Sequence, residues 1–231
     1  MKPMSIAENL KHIRQRIAAA CDRVGRDPQE VALVAVSKGH TPASILEAFE
    51  AGLTVFGENK VQELKLKVGQ CPGEIRWEFI GHLQTNKCRE AVRHARLVHG
   101  VNSDRLAKAL NTACEKLSKT LPVLIEVNVS GEAAKYGFRP DEVLEKLLPL
   151  NALDQLEIHG FMTMAPWSKA AENARPHFRR LKHLQQAAED LLGAPLPELS
   201  MGMSGDFEVA IEEGATIIRL GTVLFGEQKR R

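Results

Sequence analysis

The side chain best suited to covalent chemistry is Lys38, which closely follows the apolar run Val31-Ala-Leu-Val-Ala-Val36. Lysine is among the residues least often buried. An ammonium at the mouth of such a run is expected to lose solvent, and a desolvated amine condenses with carbonyls. Far along the chain, Ser204 and Gly205 follow the run LSMGM, and Gly221 and Thr222 follow ATIIRL. A hydroxyl beside a glycine at the end of a strand, ahead of a helix, suits a phosphate group, because the backbone N–H groups can approach it closely. Asp206 is adverse in such a place and is expected to cap the following helix and point away. Arg219 lies within the last run. If it projects inward it can donate to a pyridine nitrogen, and its alternative is a salt bridge to Glu212 or Glu213. A carbonyl-accepting amine with a phosphate seat serves two ligand classes: a sugar phosphate, as in a Schiff-base aldolase, or pyridoxal phosphate.

These residues come together only if the elements carrying them share one rim. Ser5 and Glu8 form a capping-box pattern, and Ile6, Leu10, Ile13, Ile17 and Val24 recur on one helical face until Gly25. After the first apolar run, Thr41 and Pro42 open a helix. Further apolar runs span 54–56, 77–80, 97–101, 123–129, 156–164, 199–203 and 216–220, separated by helical segments at 58–68, 85–95, 103–117, 140–150, 170–192 and 206–213. Eight strands alternating with helices demand parallel pairing, and the count favours a closed (β/α)₈ TIM barrel over an open doubly wound sheet. Only eleven residues follow Leu220, too few for an ordinary eighth helix. The helix at 5–24 is therefore expected to fill the slot between the first and last strands.

Ligands of such barrels bind at the C-terminal ends of the strands. The polar residues there are Lys38, Asn59, His82, Asn102, Asn128, Ser130, Thr163, Ser204, Arg219, Gly221 and Thr222. Of the chain's 231 residues, 44% are hydrophobic and 26% charged, as in an ordinary globular protein, and one domain over residues 1–231 is expected. With 31 basic and 29 acidic residues, the net charge of +2 gives no long-range field for nucleic acid or anionic lipid. The N-terminus has no apolar signal-peptide core and no run has the length of a membrane span, so a cytoplasmic location is expected. Cys21, Cys71, Cys88 and Cys114 are widely spaced, as free thiols are. No H-x-H or H-E-x-x-H occurs, and His177 and His183 do not share a helical face, so metal hydrolysis is disfavoured.

The stretches AVSKGH, FGENKVQE, WEFIGHLQTNK, EVNVSGEAAKYGF, HGFMTMAP, LSMGMSGDFEVAIEEGATIIRLGT and FGE, in that order, resemble the pyridoxal phosphate homeostasis proteins. The resemblance implies a barrel like the N-terminal domain of alanine racemase, with pyridoxal 5′-phosphate held as an internal aldimine on Lys38. It further implies phosphate contacts from Ser204, Gly221 and Thr222, a pyridine contact from Arg219, and a ring environment including Asn59, His82 and Met162. The family is associated with vitamin B6 and amino-acid and keto-acid balance, without an established reaction. Gly39 departs from the threonine that follows the lysine in many members. Expected partners are the cofactor and apo-enzymes that use it, with the chain itself monomeric.

The competing reading is a pyridoxal-dependent amino-acid racemase, which needs acid and base groups on both faces of the substrate α-carbon. Racemases resembling this barrel take the second base from a tyrosine presented by an added β domain. This sequence shows no such domain and one tyrosine, Tyr136, in the loop after the fifth strand. A non-catalytic carrier is therefore the preferred expectation. Lys135, beside Tyr136, offers a second amine at the same rim.

Overall fold

The computed structural model describes residues 4–132 and 135–226. Ala133, Ala134 and Glu227, which belong to two of the motif stretches, lie outside the described residues. Eight parallel strands close into a barrel in sequence order: β1 (Ala32–Val36), β2 (Val55–Glu58), β3 (Arg76–Phe79), β4 (Leu97–Val101), β5 (Leu121–Glu126), β6 (Leu156–Met162), β7 (Glu198–Ser200) and β8 (Ile217–Leu220). Closure is made by β1 against β8, with Val34 opposite Arg219 and Ala35 opposite Leu220. This is the barrel that the βα alternation demands, with every strand end within three residues of the expected one.

Alternation along each strand divides the core in two. Outward residues such as Phe56, Trp77, Phe79, Val98, Phe161, Leu199 and Ile218 join the large apolar layer beneath the helices. Inward residues Val34, Leu97, Leu124, Met162 and Ile217 form a second cluster inside the barrel. Above it the interior turns polar, with buried Glu78, His99, Glu126, Ser200 and Arg219.

The helices are α1 (Ile6–Asp22), α2 (Pro42–Glu50), α3 (Val61–Val68), α4 (Cys88–His94), α5 (Asp104–Glu115), α6 (Val143–Asn151), α7 (Arg175–Leu192), α8 (Phe207–Glu212) and α9 (Thr222–Phe225). Ser5 and Glu8 close the capping box that begins α1, and Thr41 and Ser103 cap α2 and α5. Helix α1 packs against α8, α9 and α2 and buries Ile6, Leu10, Ile13 and Ile17, so it does fill the position that the single turn of α9 leaves short. Polar contacts fix it there: Asn9 donates to the Leu224 carbonyl (2.9 Å), Arg16 pairs with Glu208 (2.7 Å) and Arg23 with Glu212 (2.6 Å). Among the described residues no helix is long and apolar enough to cross a membrane. The four thiols are free, and burial pushes those of Cys88 and Cys114 up to about 11.

Candidate functional site

The strand ends open on a cavity of about 900 Å³, within the size range of small-molecule sites. Lys38, Asn59, His82, Met162, Ser204, Arg219, Gly221 and Thr222 all line it. All eight predicted site residues therefore share one cavity, because each sits at or just beyond the C-terminal end of its strand. Tyr136 joins them, its ring stacked on His82 with centroids 4.0 Å apart.

Lys38 corrects one expectation. It lies two residues past β1 and is exposed, lining the cavity from its solvent side rather than buried in it. Among the described residues the buried lysine is Lys67, at the end of α3. Its ammonium donates to the Ser37 carbonyl (2.8 Å), Glu58 Oε1 (2.7 Å) and Glu63 Oε2 (3.3 Å). Glu58 Oε1 also accepts from the Ser37 hydroxyl (2.6 Å), and Glu63 Oε2 accepts from the Gly39 N–H (2.9 Å). The residues on both sides of Lys38 are thus clamped, which offsets the looseness of a Lys-Gly turn. Burial pushes the Glu58 carboxyl above its ordinary range, against the pull of Lys67 and Ser37.

Arg219 points inward. Glu212 and Glu213, its alternative partners, pair instead with Arg23, Arg175 and Arg179. Its guanidinium donates to the Ser200 hydroxyl (2.6 Å) and the Thr163 carbonyl (2.9 Å). Burial pushes it down to about 10, opposed by Asp206 and Glu126, so it stays charged at neutral pH. Asp206 corrects a second expectation. It makes no side-chain cap to α8; its Oδ1 accepts from the Met203 N–H (2.6 Å), and the residue lines the cavity with its carboxyl raised by burial.

Three rim candidates serve the scaffold. Asn128 organises its own loop through Gly131, Ser130 and the Glu132 carbonyl. Thr163 donates its hydroxyl to the Val127 carbonyl (2.7 Å), and Ser130 bonds to Asn128. Asn102 stands behind the site, its amide 3.1 Å from His82 Nδ1 and 3.4 Å from Glu126 Oε2. Glu126 lines the cavity and was missed from sequence, as were Glu78, His99 and Ser200 beneath it. The available signal was a titratable residue at an inward position of a strand with no need for one, as in LVHGV and LPVLIE.

Two observations bear on which ligand fits. Among the described residues, the buried Asn59 Oδ1 has no hydrogen-bond partner, although its residue lines the cavity. Arg219 has five N–H donors, two of which meet acceptors among the described residues. An aromatic ring carrying a nitrogen and a hydroxyl, with an anionic tail toward Ser204, Gly221 and Thr222, matches these unmet groups and the amine of Lys38.

Residues 8–229 match the alanine racemase N-terminal domain family. A pyridoxal phosphate homeostasis protein from Aquifex aeolicus is 41% identical over 98% of this chain and 100% of its own length. The structure of PipY from Synechococcus elongatus with pyridoxal phosphate bound superposes with a TM-score of 0.84 at 35% identity, covering 96% of this chain and all of that one. An alanine racemase from Clostridium difficile shares the fold at 15% identity and a TM-score of 0.74, and this chain spans 58% of it. The chain belongs to the alanine racemase N-terminal-domain family and, within it, to the pyridoxal phosphate homeostasis proteins.

Proposed function

We propose that this chain is a single-domain carrier that binds pyridoxal 5′-phosphate covalently at the Lys38 amine and serves the cell's vitamin B6 balance without turning over a substrate of its own. The observation that carries the reading is the convergence of one amine, one buried guanidinium and two small-residue loops on a single cavity. When bound, the cofactor supplies an electrophilic carbonyl and an electron-accepting ring. Lys38 provides the nucleophile from a clamped turn, and Ser204, Gly221 and Thr222 offer hydroxyl and N–H donors to the phosphate. Arg219 would meet the ring nitrogen, and Asn59, His82 and Met162 would border the ring. A guanidinium holds a pyridine nitrogen unprotonated, which weakens the ring as an electron sink and suits storage better than carbanion chemistry. Apo-enzymes that use the cofactor are the partners this reading implies, and a monomer in the cytoplasm is its natural form.

Incubation with pyridoxal phosphate, borohydride reduction and peptide mass spectrometry test the covalent site. A pyridoxyl adduct on Lys38 is expected. A colourless protein without an adduct, or an adduct on Lys67 or Lys135 alone, would overturn it. The racemase reading keeps one supporting observation, Tyr136 at the cavity, and measurable interconversion of L- and D-alanine that is lost in Tyr136→Phe would establish it.

The phosphate placement has its own test in Asp206. Asp206→Asn keeps the oxygen that accepts from Met203 and removes a negative charge from the phosphate side of the cavity. One like charge at short range in a wet site is worth ~1 kcal/mol, or about fivefold in affinity. Tighter binding of pyridoxal phosphate and of inorganic phosphate is expected by equilibrium dialysis at neutral pH. Unchanged or weaker binding would place the phosphate elsewhere.

A further inference from the structure

A chain of buried polar groups crosses the barrel interior beneath Arg219. His99 on β4 is fully buried, with Nε2 2.8 Å from Glu78 Oε2 on β3 and Nδ1 2.8 Å from Ser200 Oγ on β7. Ser200 Oγ in turn lies 2.6 Å from Arg219 Nη1 on β8. Neither the carrier reading nor the family resemblance uses Glu78, His99 or Ser200, and none of the three lines the cavity.

Buried polar groups are costly unless paired, and replacing this set with apolar side chains would make a simpler barrel core. The directions of the bonds show what the set does. Arginine only donates, so Ser200 Oγ accepts from Arg219. The Ser200 hydroxyl hydrogen then has His99 Nδ1 as its acceptor, and the His99 Nε2–H donates to the Glu78 carboxylate. In this arrangement every hydrogen along the chain meets an acceptor, and each bond polarises the next. The result is a fixed acceptor for one edge of the guanidinium, anchored on a carboxylate at the far wall, while the Thr163 carbonyl takes a second N–H (2.9 Å). Held at these two points, the planar group has one orientation at the cavity that Arg219 lines.

We infer that Glu78, His99 and Ser200 are positioning residues that act through Arg219 to set its contact with the ring nitrogen of the bound cofactor. This inference rests on the proposed cofactor site and deepens it. Its distinctive consequence concerns one ligand atom. Weakening the chain should penalise a ligand with a ring nitrogen and spare one without it, whereas a purely structural role would penalise both alike.

The test compares pyridoxal phosphate with its 1-deaza analogue, in which carbon replaces the ring nitrogen. Both are titrated by absorbance into wild type, Ser200→Ala and Glu78→Gln. Glu78→Gln retains an acceptor for His99 and removes the charge, so it reads the chain even if Ser200→Ala fails to fold. For pyridoxal phosphate, a loss of about tenfold is expected in Ser200→Ala and a smaller one in Glu78→Gln. The analogue should lose less than about threefold in both variants, by the same conversion. The absorption maximum of bound pyridoxal phosphate should also shift in both. Equal losses for the two ligands, or no loss and no spectral shift, would overturn the inference alone. Wild type binding neither ligand would remove the carrier reading and this inference with it.

Discussion

Lys67→Met is expected to destabilise the protein by about 3–5 kcal/mol, because it removes one partner of a buried ion pair and leaves the other. Lys67 is 4% exposed and Glu58 is fully buried. All three hydrogens of the ammonium have acceptors, whereas Glu58 Oε2 has no partner among the described residues. Losing the ammonium strands Glu58 Oε1 with only the Ser37 hydroxyl. The carboxyl is already raised by burial, and without Lys67 it rises further. A carboxyl whose folded pKa exceeds its unfolded one contributes stability that is present below the unfolded pKa and lost as pH rises through the folded value. The deficit of Lys67→Met should therefore be smallest near pH 4 to 5, the ordinary carboxylate range, and largest at neutral pH and above. Urea unfolding at two pH values measures it. Converting Glu58 to Leu in the same protein should recover most of the loss. A deficit below about 1 kcal/mol, or one independent of pH, would show that the pair is not an ionic clamp. Lys67 itself holds the Ser37 carbonyl and orients Glu63, which accepts from the Gly39 N–H, so the variant loosens the backbone around Lys38 and should form the borohydride-trapped adduct more slowly than wild type.

Gly160→Ala is the other substitution with a large expected cost, and its reason is backbone geometry. The β5–β6 register slips by one residue at His159, so Gly160 is brought opposite Leu124 and, on the other side, opposite Glu198. Its φ of +150° is one that side-chain-bearing residues rarely adopt, and a Cβ there would overlap the Glu198 carbonyl oxygen. Because the obstruction is backbone of the neighbouring strand, no rotamer change relieves it. A loss of ~4 kcal/mol or more is expected, a large fraction of a typical domain's 5–15 kcal/mol. Thermal melting checks it, and a melting temperature within a few degrees of wild type would mean that β6 can shed its bulge.

The lining of the candidate cavity was largely legible in the sequence. The rim residues announced themselves because a polar side chain ending an apolar run has few structural reasons to be there, and strand order then gathers them at one end. Asn128, Ser130 and Thr163 met the same criterion and hold loops and strands together instead. Their side chains find acceptors and donors within their own loop or on the adjacent strand, which run-and-rim logic does not weigh. Asp206 misled in the other direction, since its position before α8 reads as a cap while its carboxyl holds the Met203 N–H.

By itself the sequence determined the closed barrel, the spare first helix and the ring of residues at the mouth, because hydrophobic periodicity and turn chemistry act over a few neighbouring residues. Tertiary structure alone decided that Lys67 is buried and Lys38 accessible. It also decided that Arg219 leaves Glu212 and Glu213 to other arginines, and that a carboxylate on β3 reaches that arginine through a histidine and a serine. Those outcomes depend on which side chains meet across the closed barrel, where burial raises the cost of an unpaired polar group and contacts join residues up to about a hundred positions apart.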